Sequence, residues 1–135
     1  MIKLAGIDHV VLRVSDLETT MRFYEQVLGA TLEKTQESIG LYQLRAGASL
    51  IDLVPVDGPL GRQGGAPAGA EGRNVDHICF RVLPWDGEAI LDHLRRHGIE
   101  SEIVTRYGAE GDGPSIYLSD PEGNGLELKG PPASV

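Results

Sequence analysis

The chain has 135 residues and a mass of 14.5 kDa, which leaves room for one compact domain or for two small modules that share a core. Its 12 Lys and Arg against 20 Asp and Glu give a net charge of −8, so we expect no nucleic acid or membrane partner, because both surfaces are anionic. The single cysteine, Cys79, excludes an internal disulfide and favours a reducing cytoplasm.

The first predicted elements are a strand at residues 7–14 and a helix that follows it. Apolar and polar residues alternate along the strand, which places His9 and Arg13 on the face opposite the apolar one. Ser15 to Glu18 read as a capping box with Ser15 as the N-cap, and Gly29 is predicted to end the helix. Three short strands are expected after it, up to residue 56.

A segment rich in Gly, Pro and Ala, residues 57–73, shows no hydrophobic period and is predicted to be a linker. It separates a first module at 1–56 from a second module at 74–130, and a short tail follows at 131–135.

The second module repeats the first. Residues 75–82 resemble residues 7–14, with identity at Asp8 and Asp76, His9 and His77, Arg13 and Arg81, and Val14 and Val82. Asp86 is the predicted cap of the second helix and Gly98 its stop, while Asp120 to Gly123 read as a type I turn. The glycine-rich stretch 106–115 is either a mobile lid or an extended hairpin.

The duplication places four ligand-type residues at equivalent positions. His9 and His77 lie on the first strand of each module, and Asp52 and Glu127 lie on the last. If the modules pack about a pseudo-twofold axis, two imidazoles and two carboxylates can converge on one point. This is a ligand set for Zn²⁺, Ni²⁺, Mn²⁺ or Fe²⁺, so a divalent metal ion is the predicted cofactor.

Three features together resemble the vicinal oxygen chelate superfamily, which includes glyoxalase I, fosfomycin-resistance thiol transferases, extradiol dioxygenases and bleomycin-resistance proteins. They are the paired Asp-His strand openings, the helix end from Phe23 to Gly29, and the stretch from Asp120 to Leu128. The resemblance implies an α+β fold in which two tandem βαβββ modules form curved mixed sheets around a metal-binding cup. It also implies a homodimer.

The resemblance carries over a metal site and a reaction. The implied metal ligands are His9, Asp52, His77 and Glu127, and the implied catalytic carboxylates are Glu127 first and Asp52 second. The implied function is that of a metal-dependent, glyoxalase I-like lyase or isomerase. It would act on a small oxygen-rich metabolite through a metal-stabilised enolate or oxyanion.

Asp52 leaves the reaction open, because glyoxalase I usually has Glu at this position. The aspartate carboxylate reaches about 1.5 Å less far, one C–C bond length. If Asp52 does not coordinate, His9, His77 and Glu127 form a three-ligand site like that of extradiol dioxygenases or fosfomycin-resistance thiol transferases. A non-catalytic binding protein of the bleomycin-resistance type is a third alternative.

Substrate contacts are predicted for three more residues. Strand alternation directs Arg13 and Arg81 into the same cup as the histidines, where each could hold an anionic group or pair with a neighbouring acid. Tyr117, which we take as equivalent to Tyr42, could offer a hydroxyl group or pack in the core. Cys79 on the same face could be a ligand, a nucleophile or a buried thiol.

Overall fold

A computed structural model describes residues 1–132, so the last three residues of the predicted tail, 133–135, lie outside the described part. The chain divides into two compact units, Met1–Asn74 and Val75–Val135. Neither of the two α-helices has the length or the apolar character to span a membrane.

The first unit contains four strands, one α-helix and two 3₁₀ turns. In chain order they are β1 (His9–Val14), α1 (Leu17–Gln26), β2 (Thr31–Gln36), a 3₁₀ turn (Glu37–Ile39), β3 (Leu41–Ala46), β4 (Ser49–Pro55) and a second 3₁₀ turn (Gly61–Gly64). The sheet order is β1-β4-β3-β2, with β1 parallel to β4 and the other pairs antiparallel.

The second unit repeats this arrangement. Its elements are β5 (His77–Arg81), α2 (Gly87–Arg96), β6 (Ile103–Gly108), β7 (Gly111–Ser119) and β8 (Gly125–Lys129). The sheet order is β5-β8-β7-β6, again with one parallel and two antiparallel pairs. The predicted α+β class with two βαβββ modules is therefore confirmed.

Each sheet has one apolar face that forms the core of its unit. In the first unit α1 packs against β4 and β2, and Tyr24 of this helix is 1% exposed. The other fully buried apolar residues of this core are Leu12, Val14, Leu44, Ile51 and Leu53. The core of the second unit contains Leu91 and Leu94 of α2 together with Ile116, Leu126 and Leu128. The opposite faces are free to carry polar residues.

The start of α1 differs from the prediction by one residue. Asp16, not Ser15, is the N-cap, because its side chain accepts a hydrogen bond from the backbone N–H of Thr19. This bond and a second one from the Thr19 hydroxyl group lower the pKa of Asp16. The predicted Asp86 cap is confirmed, since it accepts from the backbone of Ala89. Gly29 and Gly98 follow the helices with positive φ, as predicted.

The glycine-rich stretch 106–115 forms a hairpin between β6 and β7. The two strands stay paired up to Gly108 and Gly111, so only Ala109 and Glu110 form the turn. Of the two alternatives given by the sequence, the structure has the extended hairpin. The physical reason is that backbone pairing continues through the glycines.

The predicted linker is partly ordered against the first unit. The guanidinium group of Arg13 donates to the backbone carbonyls of Gly61, Gly65 and Ala66 at distances between 2.5 and 3.0 Å. Asn74 closes the segment by donating to the backbone carbonyl of Arg13 at 3.0 Å. Arg13 therefore holds residues 61–66 along β1.

Gly61 is the position where this segment has least room. A Cβ atom at Gly61 would lie 1.8 Å from the carbonyl oxygen of Pro55, which is backbone and cannot rotate away. We expect Gly61→Ala to destabilise the protein by about 2–3 kcal/mol, the usual cost of forcing atoms into a packed site. The midpoint of urea unfolding, followed by circular dichroism, measures this loss.

Gly69→Ala is the matched control for this prediction. A Cβ atom at Gly69 meets nothing within 4 Å, and this glycine has no positive φ. We expect its unfolding midpoint to equal that of the wild type. Equal midpoints for Gly61→Ala and the wild type would contradict the clash.

Candidate active site

The polar face of the first sheet carries one side chain from each strand in a continuous line, which we call the first row. The first row consists of His9 on β1, Asp52 on β4, Gln43 on β3 and Gln36 on β2. Gln36 donates to the Gln43 side-chain oxygen at 3.0 Å, and Gln43 donates to Oδ2 of Asp52 at 3.3 Å. His9 is close enough for its positive charge to act on the Asp52 carboxylate.

Asp52 is the most buried member of the first row, with an exposed fraction of 2%. Its second oxygen, Oδ1, is buried and accepts no hydrogen bond from the described residues. Burial raises the pKa of Asp52, and this effect outweighs the Gln43 hydrogen bond and the His9 charge, which lower it. A buried carboxylate oxygen without a donor is costly, so this position suits a bound cation or a proton.

The second sheet has an equivalent line, which we call the second row. It consists of His77 on β5, Glu127 on β8, Tyr117 on β7 and Arg106 on β6. Nε2 of His77 lies 3.2 Å from Oε1 of Glu127, and the His77 and Tyr117 rings meet edge to face with centroids 6.0 Å apart. The Arg106 guanidinium carbon lies 5.5 Å from the centre of the Tyr117 ring.

Glu127 is 5% exposed and is held on both carboxylate oxygens. Ser115 donates to Oε2 at 2.5 Å, and His77 lies against Oε1. Burial alone would raise the pKa of Glu127, but the hydrogen bonds from Ser115 and Tyr117 and the charge of His77 lower it below its ordinary value. Glu127 is therefore a fixed anion, whereas Oδ1 of Asp52 accepts no hydrogen bond from the described residues and is available to a proton or a cation.

Each histidine is oriented by the carboxylate of the residue that precedes it in the chain. Nδ1 of His9 lies 2.7 Å from Asp8, and Nδ1 of His77 lies 2.7 Å from Asp76. Both hydrogen bonds raise the pKa of the imidazole they contact. A carboxylate on Nδ1 leaves Nε2 as the nitrogen that can bind a metal, which is the usual arrangement behind metal-binding histidines.

The two rows fit the donor set of a divalent metal ion. Each offers one imidazole and one buried carboxylate, and Asp52 adds an oxygen without a donor. Within residues 1–132 no cluster of three or more His, Cys, Asp or Glu side chains forms a metal site by itself. Each row therefore offers two donors of the kinds that a divalent ion binds.

The two arginines predicted to contact substrate have protein partners. Arg13 donates four hydrogen bonds to the backbone of residues 61–66, as described above. Arg81 pairs with Glu110 at the hairpin turn, with 2.9 Å between Nε and Oε1. Arg81 and its partner are both half-exposed, whereas Arg13 is bound to a backbone segment.

The register of the strands corrects the predicted equivalence of two tyrosines. Tyr117 pairs with Glu127 across β7 and β8, but Tyr42 pairs with Leu53 across β3 and β4. Gln43 is the residue that pairs with Asp52, so Gln43 is the true counterpart of Tyr117. A shift of one residue moves a side chain to the opposite face of a sheet, and Tyr42 therefore lies on the core face.

Gln43 and Ser115 hold the two carboxylates, and Arg106 lies near the Tyr117 ring; none of these three residues was predicted from the sequence in that role. Polar side chains at alternate positions of strands next to Asp52 and Glu127 were the available signal. The register between strands, which the sequence does not specify, was needed to use it.

Cys79 lies opposite Glu127 in the pairing of β5 with β8. Part of the residue reaches the surface, but its thiol group lies against the carboxylate. Burial and the negative charge of Glu127 raise the pKa of Cys79 to about 11. The thiol is protonated at neutral pH, which disfavours the nucleophile among the three alternatives.

Comparison with known proteins gives relatives along nearly the whole chain. The sequence profile of the Glyoxalase/Bleomycin resistance protein/Dioxygenase superfamily matches residues 6–128. Virulence protein STM3117 of Salmonella typhimurium is 32% identical over 126 residues, which cover 90% of this chain and 81% of that protein. Its crystal structure aligns with a TM-score of 0.81 at 30% identity and covers 96% of this chain and 99% of that chain.

Two further relatives are transferases. The metallothiol transferase FosB of Bacillus licheniformis is 31% identical over 126 residues, covering 93% of this chain and 75% of that protein. The glutathione transferase FosA of Serratia marcescens is 29% identical over 125 residues, covering 93% of this chain and 80% of that protein.

Proposed function

Because this chain belongs to the Glyoxalase/Bleomycin resistance protein/Dioxygenase superfamily, we propose that it is a metal-dependent enzyme that acts on a small oxygen-rich substrate. The observation that carries the proposal is the duplicated pairing of an oriented histidine with a buried carboxylate. These pairs count against a binding protein without chemistry, because such a protein needs no matched set of metal donors.

We propose that both rows serve one divalent ion. His9, His77 and Glu127 are its ligands, and Asp52 is the carboxylate that takes up a proton. When bound, the ion supplies Lewis acidity toward adjacent oxygen atoms of the substrate. Ser115 and Tyr117 keep Glu127 ionised and oriented, and Asp8 and Asp76, on Nδ1, leave Nε2 of each histidine as the nitrogen that would bind the ion.

In this proposal the two carboxylates have different tasks. Ser115 donates to Oε2 of Glu127 and holds this carboxylate in place, which leaves Oε1, next to Nε2 of His77, as the oxygen that would bind the ion. Oδ1 of Asp52 has no donor among the described residues, so it can accept the proton that leaves the substrate. The Gln43 amide group holds Asp52 in place while the proton moves.

The reaction we propose first is a glyoxalase I-like lyase or isomerase reaction, in which Asp52 carries a proton between neighbouring carbons of a 2-oxoaldehyde–thiol adduct. A second candidate is the transfer of a thiol to a small electrophile. Similarity to the thiol transferases FosB and FosA favours this candidate. Both reactions use a thiol and an oxygen-bearing partner, and both can use the same three ligands.

Metal removal and reloading tests this function. We expect chelator-treated protein to lose all turnover and to regain it with Ni²⁺, Zn²⁺, Mn²⁺ or Fe²⁺. The assays are conversion of a methylglyoxal–glutathione adduct and metal-dependent consumption of fosfomycin with a thiol. One bound ion per chain without turnover in either assay would contradict the proposal.

We further propose that the enzyme is a homodimer that works in the cytoplasm on a small-molecule substrate. The single Cys79 is consistent with a reducing compartment. Sedimentation equilibrium of the purified chain measures the oligomeric state directly, with twice the 14.5 kDa chain mass as the expected value.

A further inference from the structure

The surface of α2 carries two histidines that the proposed function does not use. His93 and His97 are four residues apart at the carboxyl end of this helix. We infer that their two imidazoles form a second metal site, which binds a borderline divalent ion such as Cu²⁺, Ni²⁺ or Zn²⁺ through two nitrogens. The inference stands apart from the proposed active site, because it depends on neither row.

The spacing of the pair places both rings on one side of the helix. Side chains at i and i+4 lie one above the other on a helix surface. Two histidines at this spacing are the pair with which a helix binds Zn²⁺ in metalloproteases. In α2 the rings of His93 and His97 are already neighbours, since their centres are 4.8 Å apart and their planes are inclined by 62°.

The distance between the ring centres fits two ligands of one ion. A coordinating imidazole nitrogen lies about 2.0–2.1 Å from the metal, which puts the ring centre about 3.2 Å from it. Two such rings at an angle of about 90–110°, the range from octahedral to tetrahedral geometry, have centres about 4.5–5.2 Å apart. The observed 4.8 Å falls inside this range. Binding of one ion by both rings therefore requires no change in the spacing of the backbone.

The helix end that carries the pair is fixed. Leu91 and Leu94 are buried in the core of the second unit and anchor α2. The backbone N–H groups of His97 and Ile99 both donate to the carbonyl of Leu94, and Gly98 between them has a positive φ of 76°. The two histidines are therefore presented at a defined separation, which reduces the entropy that is lost when both bind one ion.

The electrostatic surroundings favour a cation at this position. Backbone carbonyls at the carboxyl end of a helix carry a partial negative charge. Arg95 is paired with Asp92 and lies 4.0 Å from Glu100, measured from Nε to Oε2, so its positive charge is largely compensated. Arg96 is exposed, where solvent and salt screen its repulsion. The net charge of the chain, −8, adds a general attraction for cations.

The ligand count sets the affinity and the preference of this site. Within residues 1–132 no third His, Cys, Asp or Glu side chain joins His93 and His97 in a larger cluster, so water completes the coordination. Imidazole ligands bind first-row divalent ions in the order Mn²⁺ below Ni²⁺ below Cu²⁺, and Mn²⁺ prefers oxygen ligands. The site is therefore expected to select Ni²⁺ and Cu²⁺ over Mn²⁺.

Titration with Ni²⁺, followed by NMR of the histidine rings, tests the inference. The chain has four histidines, so the ring resonances report on His93 and His97 separately from His9 and His77. We expect His93 and His97 to respond with one common dissociation constant. In His97→Gln the constant reported by His93 is expected to rise about 100-fold, because a single imidazole remains where two acted together. Mn²⁺ at the same concentrations should leave both rings unchanged.

His77→Gln is the matched control, because it is the same substitution at a histidine outside the pair. We expect the Ni²⁺ dissociation constant reported by His93 and His97 to stay within about twofold of the wild type. Different constants for His93 and His97, or an unchanged His93 response in His97→Gln, overturn the inference. An equal response to Mn²⁺ also overturns it, since oxygen ligands would then dominate. The absence of any response at His9 and His77 contradicts the proposed function instead, while His93 and His97 still decide the second site.

Discussion

Glu127→Gln is expected to weaken the binding of a divalent metal ion by about 100-fold or more. Glu127 is the only carboxylate of the second row, and loss of residues that merely support a ligand already costs about 10- to 100-fold in affinity. The amide keeps the shape of the side chain but carries no charge, and its nitrogen faces donors where the carboxylate oxygens accept from Ser115 and His77. Isothermal titration with Mn²⁺ or Zn²⁺ measures the change.

Glu110→Gln controls for the loss of one negative charge in the same unit. Glu110 is half-exposed and pairs with Arg81 at the hairpin turn, away from the buried carboxylate. We expect its metal affinity to stay within about twofold of the wild type, since exposed ion pairs contribute little. If Glu127→Gln folds with an unchanged circular dichroism spectrum and binds metal like the wild type, Glu127 is not a ligand.

The local sequence pattern was sufficient to predict the fold and the histidines of both rows. His9 and His77 stand in strands whose alternation is visible without any tertiary information, and the duplication marks them as equivalent. Gly29 and Gly98 are equally local signals, because a positive φ after a helix favours glycine. These features depend on neighbours within a few residues in the chain.

The row residues next to the two carboxylates on β3 and β7 could not be assigned correctly, because their positions depend on the register between strands. The partial match between the two halves pairs Tyr42 with Tyr117 at the same offset as Asp52 with Glu127, yet only Tyr117 lies opposite a carboxylate. Arg13 shows the same limit in another form, since its position on the polar face was predicted correctly. Its partners are backbone carbonyls of a segment about 50 residues away, which no local pattern indicates.

Asp52→Asn is expected to lower kcat about 100- to 1,000-fold while KM and metal affinity change less than about threefold. Loss of a general base costs this much when other groups still bind the substrate and the ion. Asparagine can still accept the hydrogen bond from Gln43, so the side chain should stay in place, but it cannot take up a proton. Turnover of the metal-loaded enzyme and metal titration must therefore be measured on the same preparation.

The pairing of these two measurements separates the two tasks that the sequence left open for Asp52. Loss of kcat with metal affinity retained assigns proton transfer to Asp52, as its oxygen without a donor implies. A loss of metal affinity of about tenfold or more would make Asp52 a ligand instead. Because the aspartate side chain is shorter than that of glutamate, a backbone shift or a bridging water would then have to make up the difference in reach. Asp57→Asn, the same change at an exposed aspartate of this unit, should alter neither quantity. Because Ser115 holds Glu127 as a fixed anion, while Oδ1 of Asp52 has no donor among the described residues, we expect the first result.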